Sequence, residues 1–121
     1  MPSGAASSLE FATSLLTIGS HVLSMRLARS VLQSLGHDRA TAPDSPIVVW
    51  RQQLGVRHRE VTEAEHAAIV AAKRTASVSE LCALLTHDGA GDANAVFRTL
   101  STWFARGWVT SLREGKAWRR A

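Results

Sequence analysis

Between Thr62 and Gly107 three helix signals follow one another closely, and their order constrains the fold more than any other feature of the chain. Thr62 is placed to N-cap a helix carrying Glu63 and Glu65 in its first turn, where carboxylates favour the positive end of the helix dipole. The helix runs to about Arg74. Its inward side, Ala64, Ala67, Ala68 and Ala71 with Ile69 and Val70, is small, so another helix can approach closely. Ser77, Val78, Ser79 and Glu80 then form an S-x-x-E capping box ahead of the run LCALL. After the turn THDGAG, Asp92 can cap a third helix. There Ala93, Val96, Phe97, Leu100, Trp103 and Phe104 recur at the steps of one buried face. Gly107 stands at its C′ position.

Both flanks read as strands. PIVVWR is β-branched and aromatic, QQLG is a turn, and VRHREV is a second extended run, so 46–61 reads as a β-hairpin. In its second strand Val56, His58 and Glu60 point one way and Arg57, Arg59 and Val61 the other. Neither row is hydrophobic enough for a central strand, which predicts a sheet edge. At the other end WVTSL, REGK and AWRR read as strand, turn and strand. Helix, short helix, turn, amphipathic helix and terminal hairpin is the order of a winged helix-turn-helix. The expectation for 46–121 is that fold, within an α+β, mainly α chain.

Upstream, Phe11, Leu15, Ile18, Val22, Met25, Leu32 and Leu35 recur at steps of three and four, with Ala28 filling the series weakly. Leu16, Leu23, Leu27 and Val31 form a second stripe. This predicts a helical extension over 9–36, as one helix or two broken near Gly19 and Ser20, ending at Gly36. So wide an apolar face must bury against something. Residues 1–8 are small and polar and are expected to be disordered. Residues 37–45, dense in turn formers, read as a linker.

A length of 121 residues allows one domain, or one small domain with an added helical segment. Lys and Arg number 14 against 10 Asp and Glu, and nearly all the cations are Arg, suited to planar carboxylates and phosphates. The surplus lies wholly after Pro46, because Arg26, Arg29 and Arg39 balance Glu10, Asp38 and Asp44 upstream. The lone cysteine, Cys82, excludes an internal disulfide and sits in an apolar run as a packing residue. The first ten residues lack a basic n-region, and no apolar stretch is long enough to span a membrane, so the expected location is cytoplasmic.

The residues offer little catalytic chemistry. A glycine-rich phosphate loop, a G-x-S-x-G elbow and an H-E-x-x-H pair are all lacking. Glu63 and His66 have a spacing that can ligand iron or zinc in helical bundles, but no second pair matches it. The expectation is no catalytic residue and no metal site. Duplex DNA would be read by the third helix, whose outward residues include only Asn94, Arg98 and the distal Arg106 as readers, with Arg113, Lys116, Arg119 and Arg120 on a wing. A DNA-binding transcriptional regulator is therefore the alternative reading. In the leading one, an incoming peptide adds as a strand to VRHREV beside the third helix, and arginines select its acidic side chains.

The run PIVVWRQQLGVRHREV, followed by TEAEHAAIVAAKRTASVSELCALL and VFRTLSTWFARGWV, resembles the C-terminal domain of the bacterial HvfC-like and MbnC-like proteins. The features that carry the resemblance are Val49, Trp50 and Arg51; Glu63 and Glu65; Ser77, Glu80 and Leu81; and Trp103, Gly107 and Trp108. Such proteins are partner subunits of multinuclear iron oxygenases that rework cysteines in ribosomally made peptides, as in methanobactin and thiaglutamate biosynthesis. This chain has a shorter N-terminal part than the larger members and is most similar to the small thiaglutamate-type partner. The resemblance implies a noncatalytic subunit that binds the leader of a precursor peptide, with iron held by the partner enzyme and no cofactor in this chain. On the strand-addition reading the peptide meets Val56, Arg57, His58, Arg59, Glu60, Phe97, Arg98, Leu100 and Ser101. The partner enzyme, or the chain's own core, would take Phe11, Leu15, Ile18, Val22 and Met25.

Overall fold

The structure, a computed structural model, describes residues 13–37, 43–86 and 93–113. They form a mixed α+β arrangement of ten elements in chain order. These are β1 (Leu15–Ile18), β2 (Val22–Ala28), α1 (Arg29–Ser34), β3 (Asp44–Gln52), β4 (Gly55–Glu60), α2 (Glu63–Lys73), β5 (Ala76–Ser77), α3 (Val78–Leu85), α4 (Ala93–Ala105) and β6 (Val109–Arg113). Two three-stranded antiparallel sheets result, ordered β5-β1-β6 and β2-β3-β4. Among the described residues no helix is long and apolar enough to cross a membrane.

Between residues 46 and 86 the capping signals act as read, while the Asp92 cap lies outside the described residues. Thr62 and Ser77 accept the main-chain N–H groups of Glu65 and Glu80 and so cap α2 and α3. Gly107 takes φ +74° beyond α4, a left-handed conformation that glycine adopts without steric cost. The β3–β4 hairpin turns on Gln53 and Leu54, with Gln53 itself at φ +57°. The expected strand at AWRR and the wing residues Lys116, Arg119 and Arg120 lie outside the described residues, as do 1–8, Phe11 and most of the linker.

The helical extension over 9–36 is corrected. Among its described residues, Leu15–Ile18 and Val22–Ala28 are strands, while Thr13 and Arg29–Ser34 are helical. The linker also ends early, since Asp44 and Ser45 already belong to β3. "Mainly α" fails with the extension, because strand nearly equals helix. The physical reason is that both apolar stripes are also compatible with a strand-turn-strand. What decides between them is pairing with Trp50 and Val49 on β3, Ala76 on β5 and Leu112 on β6, far along the chain. Gly19 makes the turn possible. A Cβ there would sit 2.6 Å from both His21 and the Thr110 methyl. The Lys73 ammonium donates to the carbonyls of Gly19 and Val22 and fastens the turn to α2.

One core unites these parts. Leu16, Ile18, Val22, Val48 and Trp50 from the two sheets meet Ala68, Ile69, Ala72, Leu81, Val96, Leu100, Trp103 and Trp108. The opposite face of the second sheet is covered in part by α1, where Leu32 and Ile47 are buried with Met25 and Leu27 against them. Arg26 of β2 ties the layers at the surface, bonding Asp44 at 2.9 Å and Glu63 at 2.6 Å.

Strand geometry makes adjacent positions on β2 unequal. Val22 is wholly buried and Leu23 is 50% exposed. Val22→Asp is expected to cost about 3 kcal/mol or more through an unpaired buried charge, and Leu23→Asp less than about 1 kcal/mol, both read from urea unfolding. Equal losses would refute the strand. The Arg26 guanidinium holds the Glu63 carboxyl below its ordinary range. A depressed folded pKa adds stability above the ordinary glutamate range and loses it as pH falls through the folded value. Arg26→Met should therefore flatten the stability profile below the ordinary glutamate range, as urea titrations at stepped pH would show.

Candidate functional site

The second sheet leaves β4 as an edge. The alternation of its ladder identifies which main-chain groups are open. The hairpin closes on the Gln52–Gly55 pair, and the Val61 N–H donates to the Pro46 carbonyl at 3.2 Å. Gly55, Arg57 and Arg59 therefore turn their peptide groups to β3. Those of Val56, His58 and Glu60 face outward, and no strand pairs with them among the described residues.

Beside this edge lies a groove of about 380 Å³ lined by Arg59, Glu65, Ala95, Arg98, Thr99 and Thr102. Glu65 forms its anchor. Only 7% exposed, its carboxylate accepts the Trp103 indole N–H at 3.0 Å and the Arg59 guanidinium at 2.9 Å. Burying a carboxylate is tolerable only with such donors. Arg59 also lies over the Trp108 ring, 5.5 Å from its centroid. Trp108 meets Trp50 edge to face at 5.0 Å, and Arg106 covers the other ring at 5.2 Å. The result is a stack of two guanidiniums and two indoles running from β4 to the end of α4. Trp50 also donates its indole N–H to Gln52. Two donors in the stack, Arg59 Nε and Trp108 Nε1, are buried without an acceptor.

The structure brings together some of the residues expected to take a peptide and separates others. Val56, Arg57, His58, Arg59 and Glu60 all lie on β4, and Arg98 faces Arg59 across the groove. Neither Arg57 nor Arg98 has an ion-pair partner among the described residues. Leu100 is buried in the core, so it does not line the groove. At 100° per residue, Phe97 and Ser101 leave α4 on the flank opposite Ala95, Thr99 and Thr102. Phe97 is exposed there. Glu65, Thr99, Thr102, Trp50 and Arg106 were not anticipated as parts of a peptide site. Glu65 had a signal, for it shares the i, i+3, i+7 row of Ala68 and Ala72; the stack had none.

The residues considered for partner contact are largely spent within the chain. Ile18 and Val22 are core, Met25 packs against Leu32 and Ile47, and Leu15 is half-buried on β1. Phe11 lies outside the described residues.

Chemistry beyond binding finds little purchase. Among the described residues no group of three or more His, Cys, Asp or Glu is arranged to hold a metal. Glu63 is bound to Arg26, and His66 Nδ1 to the Ser24 hydroxyl at 2.7 Å, so that helical pair points elsewhere. His37 and His58 bond each other at 2.8 Å, and Glu60 meets the second His37 nitrogen at 3.3 Å. Burial pushes the Cys82 thiol up, away from the thiolate a nucleophile requires.

Comparison with protein-family models, curated proteins and solved structures finds no match.

Glu65→Gln keeps the side-chain volume but removes the charge that Arg59 and Trp103 address. A loss of about 1.5 to 3 kcal/mol is expected, measured by urea unfolding followed through tryptophan emission. A loss below about 0.5 kcal/mol would mean that this carboxylate does not organise the groove.

Proposed function

We propose that this chain is a noncatalytic recognition subunit that binds an extended peptide by strand addition to β4, beside α4. One observation carries the reading. The open peptide groups of Val56, His58 and Glu60 run alongside a groove lined by Arg98, and neither Arg98 nor Arg57, on the same face of β4 as Arg59, has a counter-charge among the described residues. Main-chain pairing supplies affinity for any extended segment, and side-chain pockets supply choice. The three strands β2, β3 and β4 followed by three helices form a platform for such a segment. The order α2, β5, α3, α4, β6 supports a peptide-recognition variant of the winged helix, with β1 standing between β5 and β6.

In the family the sequence resembles, the peptide is a precursor leader, and a multinuclear iron enzyme is the partner that modifies its cysteine. On this reading the iron belongs to that enzyme, the complex is cytoplasmic, and the present chain holds the leader while the enzyme acts. The core of this domain consumes Ile18 and Val22, so partner docking falls to surfaces that remain open, such as exposed Phe97 and Phe104 on one flank of α4.

Titration of the full chain against synthetic extended peptides bearing acidic side chains, and against random duplex DNA, at two salt concentrations tests the proposal. Peptide binding with mild salt dependence, weakened by Arg98→Glu, is expected. Duplex binding would instead fall steeply with salt, at a log-log slope of about −0.9 per phosphate neutralised. Submicromolar duplex binding without peptide binding would overturn the reading in favour of a transcriptional regulator.

A further inference from the structure

Resting on the strand-addition reading, we infer the side-chain pattern of the bound segment. It carries carboxylates at two alternate positions facing α4 and an aliphatic side chain on the outward row next to them. The parity of β4 sets the rows. Successive side chains of an added strand alternate between the faces, so residues opposite Arg57 and Arg59 point to the groove. Residues opposite Val56, His58 and Glu60 point to the outer face.

The groove-facing row is cationic. Arg57 and Arg59 stand two positions apart on β4, Arg98 lines the groove opposite, and Arg106 lies over Trp50, the residue paired with Arg57. Against these four guanidiniums stands Glu65, already engaged by Arg59. A strand with an uncharged inner row would cover these cations and return no acceptor. Carboxylates at alternate positions return one opposite each β4 arginine.

The outer row asks for different chemistry. Val56 is 67% exposed and, with Leu23 and Val49, borders a shallow hollow on that face. His58 and Glu60 are both joined to His37, and the Glu60 carboxylate repels an acid placed opposite it. Acidic residues are thus favoured on one row and disfavoured on the other. A slip of one residue exchanges the rows completely.

Three synthetic peptides with common flanks distinguish the possibilities in calorimetric titrations of the full chain at low salt. One has glutamates at alternate positions with valines between them. The second has the same composition with the glutamates adjacent. The third replaces glutamate by glutamine. The alternate peptide should bind about fivefold tighter than the adjacent one, and both tighter than the neutral peptide. Arg98→Gln should narrow the first gap, and Arg113→Gln, on β6 outside the groove, should not. Equal affinity for the alternate and adjacent peptides would overturn the inferred pattern and leave strand addition standing. Failure of all three to bind would overturn both.

Discussion

The buried carboxylate of Glu65 is the interaction on which the arrangement of this protein turns. It begins in the first turn of α2, yet its partners come from β4 and α4, so one side chain joins three elements distant in sequence. Without it, the Trp103 indole N–H would be a buried donor without an acceptor, and Arg59 would bring an unbalanced charge against the core. Either defect costs more than an average hydrogen bond contributes. The base of the groove between β4 and α4 is therefore held by charge-assisted bonds.

The stack of Arg59, Trp108, Trp50 and Arg106 extends that logic across the molecule. Aromatic faces attract guanidiniums, and here Trp108 and Trp50 hold Arg59 and Arg106 over their rings. Fixed cations lose little freedom when they meet a carboxylate, which favours selection by charge position over selection by net charge. Arg57 and Arg98 differ in having no such support among the described residues. The site thus combines an immobile cationic floor with adaptable cationic sides. On the proposed reading, the main chain of β4 pairs with an extended segment and discrimination falls to the side chains.

Much of the helical part was legible in the chain. Thr62, Ser77 and Gly107 act within a few residues of themselves, through hydrogen bonds and a φ value that depend on local chemistry. The apolar steps from Val96 to Trp103 likewise report one buried face. The edge character of β4 was also legible, because neither row of VRHREV carries enough apolar surface to be covered on both sides. The first strands were not. Leu15, Leu16, Ile18 and Val22 satisfy a helical repeat and a strand-turn-strand equally, and local propensity does not separate the two. The groove was only partly legible for the same reason. Helical periodicity separates Leu100 from Arg98, but the facing of Arg98 and Arg59 depends on how α4 lies against the sheet.

By itself the amino-acid sequence determined the caps, the hairpin, the amphipathic face of α4 and the concentration of arginine after Pro46, since each is set by neighbours along the chain. Tertiary structure alone decided that residues 15–18 and 22–28 pair as strands, that Glu65 is buried under two donors, and that Arg59 and Arg98 line one groove. Those outcomes follow from contacts between residues up to roughly a hundred positions apart, such as Leu15 with Arg113. Such contacts form only when the whole core closes and the loss of chain entropy is offset by burial.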